Sequence, residues 1–395
     1  MACRNVTTAA NMEPGILPAG YRAAKEMGMT FQHTAGGTEK TADALVGRLF
    51  EASLGMFDVL SVYLGDQLGL YRVLRDGGPA TSGELAARGQ IDRRYAREWL
   101  EQQAATGILE VDDVGAGAEE RRYRLPQAHI EPLLDRDSPY SIAPVARAVV
   151  ACAKVIPQLL AVYRTGGGVA WADYGPDMIE AQGDFNRPWL VGSFGTELLP
   201  AIPRIHQRLV ADPPARVADV ACGVGWASIA IARAYPKVRV EGFDLDESSI
   251  DLARQNAHDA GLSDRVTFHA RDVAQADAGE YDLAVIIESV HDMTQPVGVL
   301  SSVRRMLRHD GVVLIADEKT EDTFTAPAGP SERFYYGFSI LTCLPAAMTE
   351  QPTAAIGTVI RADVMHRLGS EAGFRTVERL DKPELDMLRF YQLTL

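Results

Sequence analysis

From about Pro214 onward the chain alternates short β-rich runs with helical patterns, and this alternation constrains its fold more than any other feature. The runs are "RVADVAC", "VRVEGFD", "VTFHARD", "YDLAVIIES" and "GVVLIADE", each followed by a stretch with three- and four-residue apolar spacing. Strands that recur with a helix between them pair in parallel, so the expectation is an α/β fold with a doubly wound, mostly parallel sheet. The last two runs, "TVERL" and "MLRFYQLTL", lie too close for a helical crossover and are predicted to form an antiparallel hairpin at the sheet edge.

Upstream of this the chain is helical in pattern. At 395 residues it exceeds what one core usually spans, so more than one domain is expected. Residues 1–38 mix Gly, Pro, Thr and Asn without periodicity and read as a flexible entry segment. "ADALVGRLFEASLGMFDVLSVYLGDQLGLYRVL" reads as packed helices whose wide apolar surface suits a second subunit. Thr81 and Ser82 ahead of Glu84 mark a helix start, Gly89 interrupts, and a second helix follows to about Gly107. "ILEVDDVGAGAEERRYRLP" then reads as two short strands around a Gly-rich turn. Residues 39–135 are therefore expected to be a winged-helix domain, and 136–210 a helical bridge broken at Pro188, Pro200 and Pro203. Residues 211–395 make up the α/β part, with an aromatic and apolar insertion at about 320–360 that is too long for a simple crossover.

Composition narrows the partners. A formal charge of −14 disfavours nucleic acid, whose binding draws on Lys and Arg neutralising phosphates. The second helix of the winged unit, with Glu98 and Glu101 beside Arg93, Arg94 and Arg97, shares that bias. No apolar run approaches the roughly 18–20 residues of a membrane span, and the N-terminus lacks signal-peptide character, so the expected setting is cytoplasmic. Cys3, Cys152, Cys222 and Cys343 show no metal or disulfide spacing and are expected as thiols.

The chemistry concentrates at the strand ends. In "VADVACGVGWASIAIARAYP", Gly223 and Gly225 permit a sharp turn and leave room at a helix N-terminus, which a purely structural turn would also need. Asp219, just before the loop, would repel a pyrophosphate and suits an ammonium group instead. Asp244, with Asp246 as the fallback, stands where a carboxylate can accept the hydroxyls of a ribose, and Asp272 stands where one can meet an exocyclic amine. An ammonium, a ribose and an adenine without phosphate describe S-adenosylmethionine.

These motifs, with "VEGFDLDESSIDLARQNA", "YDLAVIIESVHDM" and "VRRMLRHDGVVLIADE", resemble the class I S-adenosylmethionine-dependent methyltransferases in order and spacing. The preceding winged helix resembles that of the bacterial small-molecule enzymes of this family. The resemblance implies a seven-stranded Rossmann-like sheet, S-adenosylmethionine as cofactor with S-adenosylhomocysteine as product, a small-molecule acceptor, and a homodimer formed through the N-terminal domain. It implies cofactor contacts at Asp219, Ala221, Gly223, Gly225, Asp244, Leu245, Asp272 and Val273. One departure stands out. Ala221 replaces the first glycine of the loop, which is harmless only if that residue is not left-handed.

For catalysis, His291 occupies the position of the family's catalytic histidine and is the candidate general base, although a satisfied structural histidine reads the same way. Asp292 could orient it or cap a helix, and Glu288 could hold cofactor or substrate. In the resembling enzymes the 320–360 insertion caps the acceptor pocket, so the resemblance makes Tyr335, Tyr336, Phe338 and Cys343 candidates to line it. Nothing beside Cys343 would activate it as a nucleophile. No metal is expected, because the local sequence around His291 shows no cluster of carboxylates. Methyl transfer to oxygen is the leading expectation. Non-methylating use of the sulfonium, or a DNA-binding regulator, are the alternatives.

Overall fold

The computed structural model describes residues 41–276, 278–383 and 385–395. The flexible segment expected over residues 1–38 lies outside the described residues.

The Ala42–Gln67 helix, capped by Thr41, opens the described chain, and the Leu70–Gly77 helix follows it, so the stretch forms helices as its pattern suggested. The longer one packs on the Ala143–Lys154 helix and leaves Leu45, Leu49, Leu54, Phe57 and Leu64 exposed. Its buried Asp66 is held by Arg136 at 2.5 Å and Arg147 at 2.9 Å. The helix-turn-helix forms as its start signals predict. Thr81 and Glu84 make a reciprocal capping box on the Ser82–Gly89 helix, and Asp92 caps the Arg93–Ala105 helix. The wing is an antiparallel pair, β1 (Glu110–Val111) and β2 (Tyr123–Arg124).

Between this unit and the sheet, Pro188 does not break the chain. It lies inside the Pro176–Trp189 helix, which runs on into π-helical turns over Leu190–Leu198. The donor that proline lacks is lost where the helix widens, so the axis continues. The expected break does occur near Pro200 and Pro203, with Pro203 opening the Pro203–Val210 helix.

The sheet contains β3 (Arg216–Val220), β4 (Arg239–Asp244), β5 (Val266–Ala270), β6 (Tyr281–Ile287), β7 (Leu307–Glu318), β8 (Thr376–Leu380) and β9 (Leu388–Thr394), ordered 5-4-3-6-7-9-8. The first five are parallel, and β8 and β9 form the antiparallel edge hairpin that the short spacing required. Helices bury both faces. Val217, Leu283, Val285, Val312 and Leu314 belong to one core, whereas Ala218, Ala284, Ile286, Val313 and Ile315 belong to the other. That is why these strands read as nearly continuous apolar runs. Strand order reverses between β3 and β6, and ligands of open α/β sheets bind outside the carboxyl ends at such a switch point. Among the described residues, no single helix is long and apolar enough to cross a membrane.

Candidate active site

A cavity of about 710 Å³ opens above the carboxyl ends of the parallel strands. Its floor is the turn between β3 and the Trp226–Ala234 helix. Gly225 has φ +84°, and a Cβ there would fall 2.5 Å from the Phe268 ring, so this glycine serves the packing. Gly223 has φ +50° and nothing within 4 Å of where its Cβ would be, which leaves free the space that a ligand needs. Ala221 takes φ +55°. The condition under which alanine would be harmless is therefore not met, and the residue carries left-handed strain of roughly 1–2 kcal/mol.

The strand-end carboxylates are in the wall, each tied to backbone. Asp219 is buried, and its Oδ2 accepts from the Ser228 amide at 3.0 Å and hydroxyl at 2.6 Å. Burial pushes it up to about 7. It thus fastens β3 to the first turn of the following helix while lining the cavity. Asp244 accepts from the Gly223 amide and from the Asp246 amide, both at 2.9 Å. Asp246 is occupied otherwise, capping the Glu247–Asp259 helix through the Ser249 amide at 2.7 Å and hydroxyl at 2.6 Å. Asp244 therefore faces the cavity and the fallback residue does not. Leu245 presents an apolar side chain that is 78% exposed at the cavity rim. Asp272 and Val273 also line it, with Asp272 Oδ1 accepting from the Ala274 amide at 2.8 Å.

Glu288 directly follows β6 with φ +46°, and its Oε2 accepts from Gln182 at 3.0 Å and Asn186 at 2.9 Å. Burial raises it above the ordinary carboxyl range. Beside it, His291 is 2% exposed. Its Nδ1 lies 2.6 Å from Asp317 Oδ1 and 2.9 Å from Glu318 Oε2, and its Nε2 lies 3.2 Å from Asp292 Oδ1. Burial opposes charging the ring, but Asp292, Glu318 and Asp317 outweigh it and hold the pKa well above the ordinary 6.5. Burial also raises Asp292 and Glu318, whereas Asp317, for which burial acts the same way, is brought below its usual range by His291 and Glu318.

Of the pocket candidates, Tyr335, Phe338 and Cys343 line the cavity, and the Tyr335 hydroxyl donates to the Met387 carbonyl at 2.7 Å. Tyr336 is not among the lining residues. It turns to the far side of its helix, where Arg361 donates to its hydroxyl at 3.4 Å. The thiol of Cys343 is pushed up to about 12 by burial and Asp292, which keeps it protonated. The absence of clustered carboxylates, inferred from the local sequence, is corrected by the fold. Asp317 and Glu318 end β7 and reach His291 from 26 residues away, so His291, Asp317 and Glu318 bring donor atoms within 4.8 Å of one another, as do His291, Asp292 and Cys343. The residues present fit S-adenosylmethionine: a turn with open space at Gly223, a carboxylate at Asp244 and an apolar shelf at Leu245.

A methyltransferase-domain family matches residues 211–372, and an Rv2258c-like winged helix-turn-helix family matches residues 57–135. The chain carries an S-adenosylmethionine-dependent methyltransferase domain behind a winged helix-turn-helix domain. Over 178 residues, 42% of this methyltransferase is 26% identical to 73% of the ubiquinone/menaquinone biosynthesis C-methyltransferase of Geobacter sp. strain M21. In fold it is similar to PigF solved with S-adenosylhomocysteine, at 19% identity and TM-score 0.65, covering 90% of this chain and 99% of that one. It is also similar to human N-acetylserotonin methyltransferase in complex with S-adenosylmethionine, at 16% identity and TM-score 0.63, covering 91% and 99%. The names include C-methylation, so the nucleophile does not follow from them.

Four residues of the candidate site were not named from the sequence. Asp317 and Glu318 are visible only as the acidic end of the fifth strand run, and Gln182 and Asn186 lie in helices read as a bridge. Their signal was two amides four residues apart, one turn, so that both meet Glu288.

Proposed function

We propose that this methyltransferase acts on an oxygen nucleophile of a small organic molecule, with His291 as the general base. The observation that carries the reading is the 2.6 Å contact between His291 Nδ1 and Asp317 Oδ1 at the cavity wall. A carboxylate there fixes the proton on Nδ1, orients the ring and stabilises the imidazolium that forms when Nε2 takes the acceptor proton. Bound S-adenosylmethionine supplies an electrophilic methyl group on a sulfonium. Asp244 would hold its ribose, Leu245, Asp272 and Val273 its adenine, and the turn from Ala221 to Gly225 with Asp219 and Glu288 its methionine portion. Much of the acceleration then comes from the chain's alignment of the acceptor, since the displacement is in line and needs a base only for the proton.

The same histidine could instead be structural, and one experiment separates the roles. His291→Ala should lower turnover by about 10² or more while S-adenosylhomocysteine still binds in calorimetric titration. Unchanged turnover removes the base role, and a product that has not gained one methylene rejects methyl transfer itself.

We also propose that the exposed apolar side chains of the Ala42–Gln67 helix face a second copy of the chain. On the recognition-type helix, Arg93 and Arg97 pair with Glu119, and Arg94 with Glu98, which supports a role other than DNA binding. Sedimentation at micromolar concentration tests the dimer.

A further inference from the structure

The imidazole of His291 belongs to two clusters of metal-ligating side chains, one with Asp317 and Glu318 and one with Asp292 and Cys343, and in each the donor atoms lie within 4.8 Å of one another. In the first, Nδ1 and Asp317 Oδ1 already satisfy one another at 2.6 Å, and Asp317 is fully buried behind the cavity wall. The second cluster differs, because all three of its residues line the cavity. There Nε2 of His291 stands 3.2 Å from Asp292 Oδ1, the Cys343 thiol donates to the Asp292 carboxylate, and Oδ1 itself is buried without a hydrogen-bond partner. The turn Val290–Asp292 after β6 supplies two of these donors, and Cys343 closes the π-helical turns Ser339–Cys343 of the insertion.

Distance and chemistry agree on one kind of ion. Two bonds of about 2.0–2.1 Å at a tetrahedral angle set nitrogen and oxygen ligands roughly 3.3 Å apart. The 3.2 Å between His291 and Asp292 is close to that edge. A thiolate and an imidazole are ligands for zinc, whereas magnesium and calcium take oxygen. Asp317 completes the pattern, since a ligating histidine ordinarily donates its other N–H to a carboxylate that orients the ring. The surrounding charge also favours a cation. Glu288 and Glu318 line the same cavity, and among the described lining residues Arg271 is the only Lys or Arg, lying over Phe243 at 5.3 Å.

We propose that His291 Nε2, Asp292 and Cys343 form a zinc site in the cavity wall, with the fourth position open to the cavity. Zinc enters by displacing the thiol proton of Cys343 and any proton on Nε2, both of which pass to solvent. One thiolate and one carboxylate then balance the charge of the ion. The consequence for catalysis rests on the reading of His291 as the base. Zinc on Nε2 occupies the lone pair that would take the acceptor proton, so the metal-free protein is the active form and zinc silences it.

The test takes the full chain, freed of metal, and titrates it calorimetrically with zinc chloride and, in parallel, magnesium chloride, with cobalt chloride followed by absorption. Zinc should bind at one per chain with a Kd of about 1 μM or lower, magnesium at least about 100-fold more weakly, and cobalt should show a sulfur-to-metal charge-transfer band. Cys343→Ser should remove that band and weaken zinc by about 100-fold or more, beyond the roughly 10-fold expected when Asp317→Asn alters only a supporting partner. Asp292→Asn should weaken zinc as well, and S-adenosylhomocysteine binding reports that each variant has folded. No zinc bound below about 100 μM, magnesium held as tightly as zinc, or zinc binding unchanged in Cys343→Ser overturns the site and leaves the base role of His291 standing. With zinc bound, turnover should fall at least about 10-fold and return on adding EDTA. Full turnover with zinc bound removes the base role and leaves the metal site standing.

Discussion

Asp317, at the end of β7, holds Nδ1 of His291 at 2.6 Å, although 26 residues separate the two in sequence. Both side chains are buried, with exposures of 0% and 2%. The contact therefore sits in a low-dielectric wall where orientation and charge act strongly. Asp317→Asn should keep the fold and S-adenosylhomocysteine binding but lower kcat by about 10²-fold, because the wrong tautomer of His291 is then favoured. Steady-state kinetics beside a binding titration check it, and an unchanged kcat would separate Asp317 from the reaction.

The same cluster sets a pH dependence. A base must be unprotonated, and the carboxylates around His291 hold its pKa well above 6.5, so kcat should rise with pH along an acid limb whose midpoint lies above that value. Asp317→Asn removes one of the anions that raise it, and the midpoint should move to lower pH. Stability runs the other way. A pKa raised on folding contributes stability that is fully present below the unfolded value and is lost as pH rises through the folded one. Relative to wild type, His291→Gln should be destabilised most at about pH 6, with the gap closing on the alkaline side in denaturant titrations.

The two loop glycines should fail differently. Gly225→Ala drives a Cβ to 2.5 Å from the Phe268 ring at φ +84°, so it should destabilise by about 2 kcal/mol or more. Gly223→Ala meets open space and carries only left-handed strain of about 1 kcal/mol, but its methyl intrudes on the cavity. Cofactor affinity should fall further than stability. Thermal unfolding with and without S-adenosylhomocysteine distinguishes the pair.

Ala221→Gly should stabilise the protein. Release of the strain at φ +55° outweighs the greater chain entropy of glycine, for a net gain of about 0.5–1 kcal/mol. A lower denaturation midpoint in the glycine variant would contradict it.

Metal removal should leave turnover unchanged. Nδ1 of His291 and Oδ1 of Asp317 already satisfy one another through a hydrogen bond, so this trio is set to hold protons. Dialysis against EDTA, followed by assay with and without magnesium, checks this, and activity restored by the metal would reverse it.

The sequence by itself determined the order of strands and helices, the edge hairpin, the turn at Gly223 and Gly225, and the carboxylates that end β3 and β4. These are local properties: periodicity, turn residues and short spacings are written within a few residues of one another. Tertiary structure alone decided which carboxylate serves which purpose. Asp246 is consumed as a helix cap, which leaves Asp244 facing the cavity. Tyr336 turns away from the pocket that its neighbours line. The left-handed state of Ala221 is a backbone angle that no composition expresses. The partners of His291 come from the adjacent strand β7, and those of Glu288 from a helix about 100 residues upstream. Such contacts depend on where a parallel sheet brings distant strand ends together, and that proximity exists only once the chain has folded.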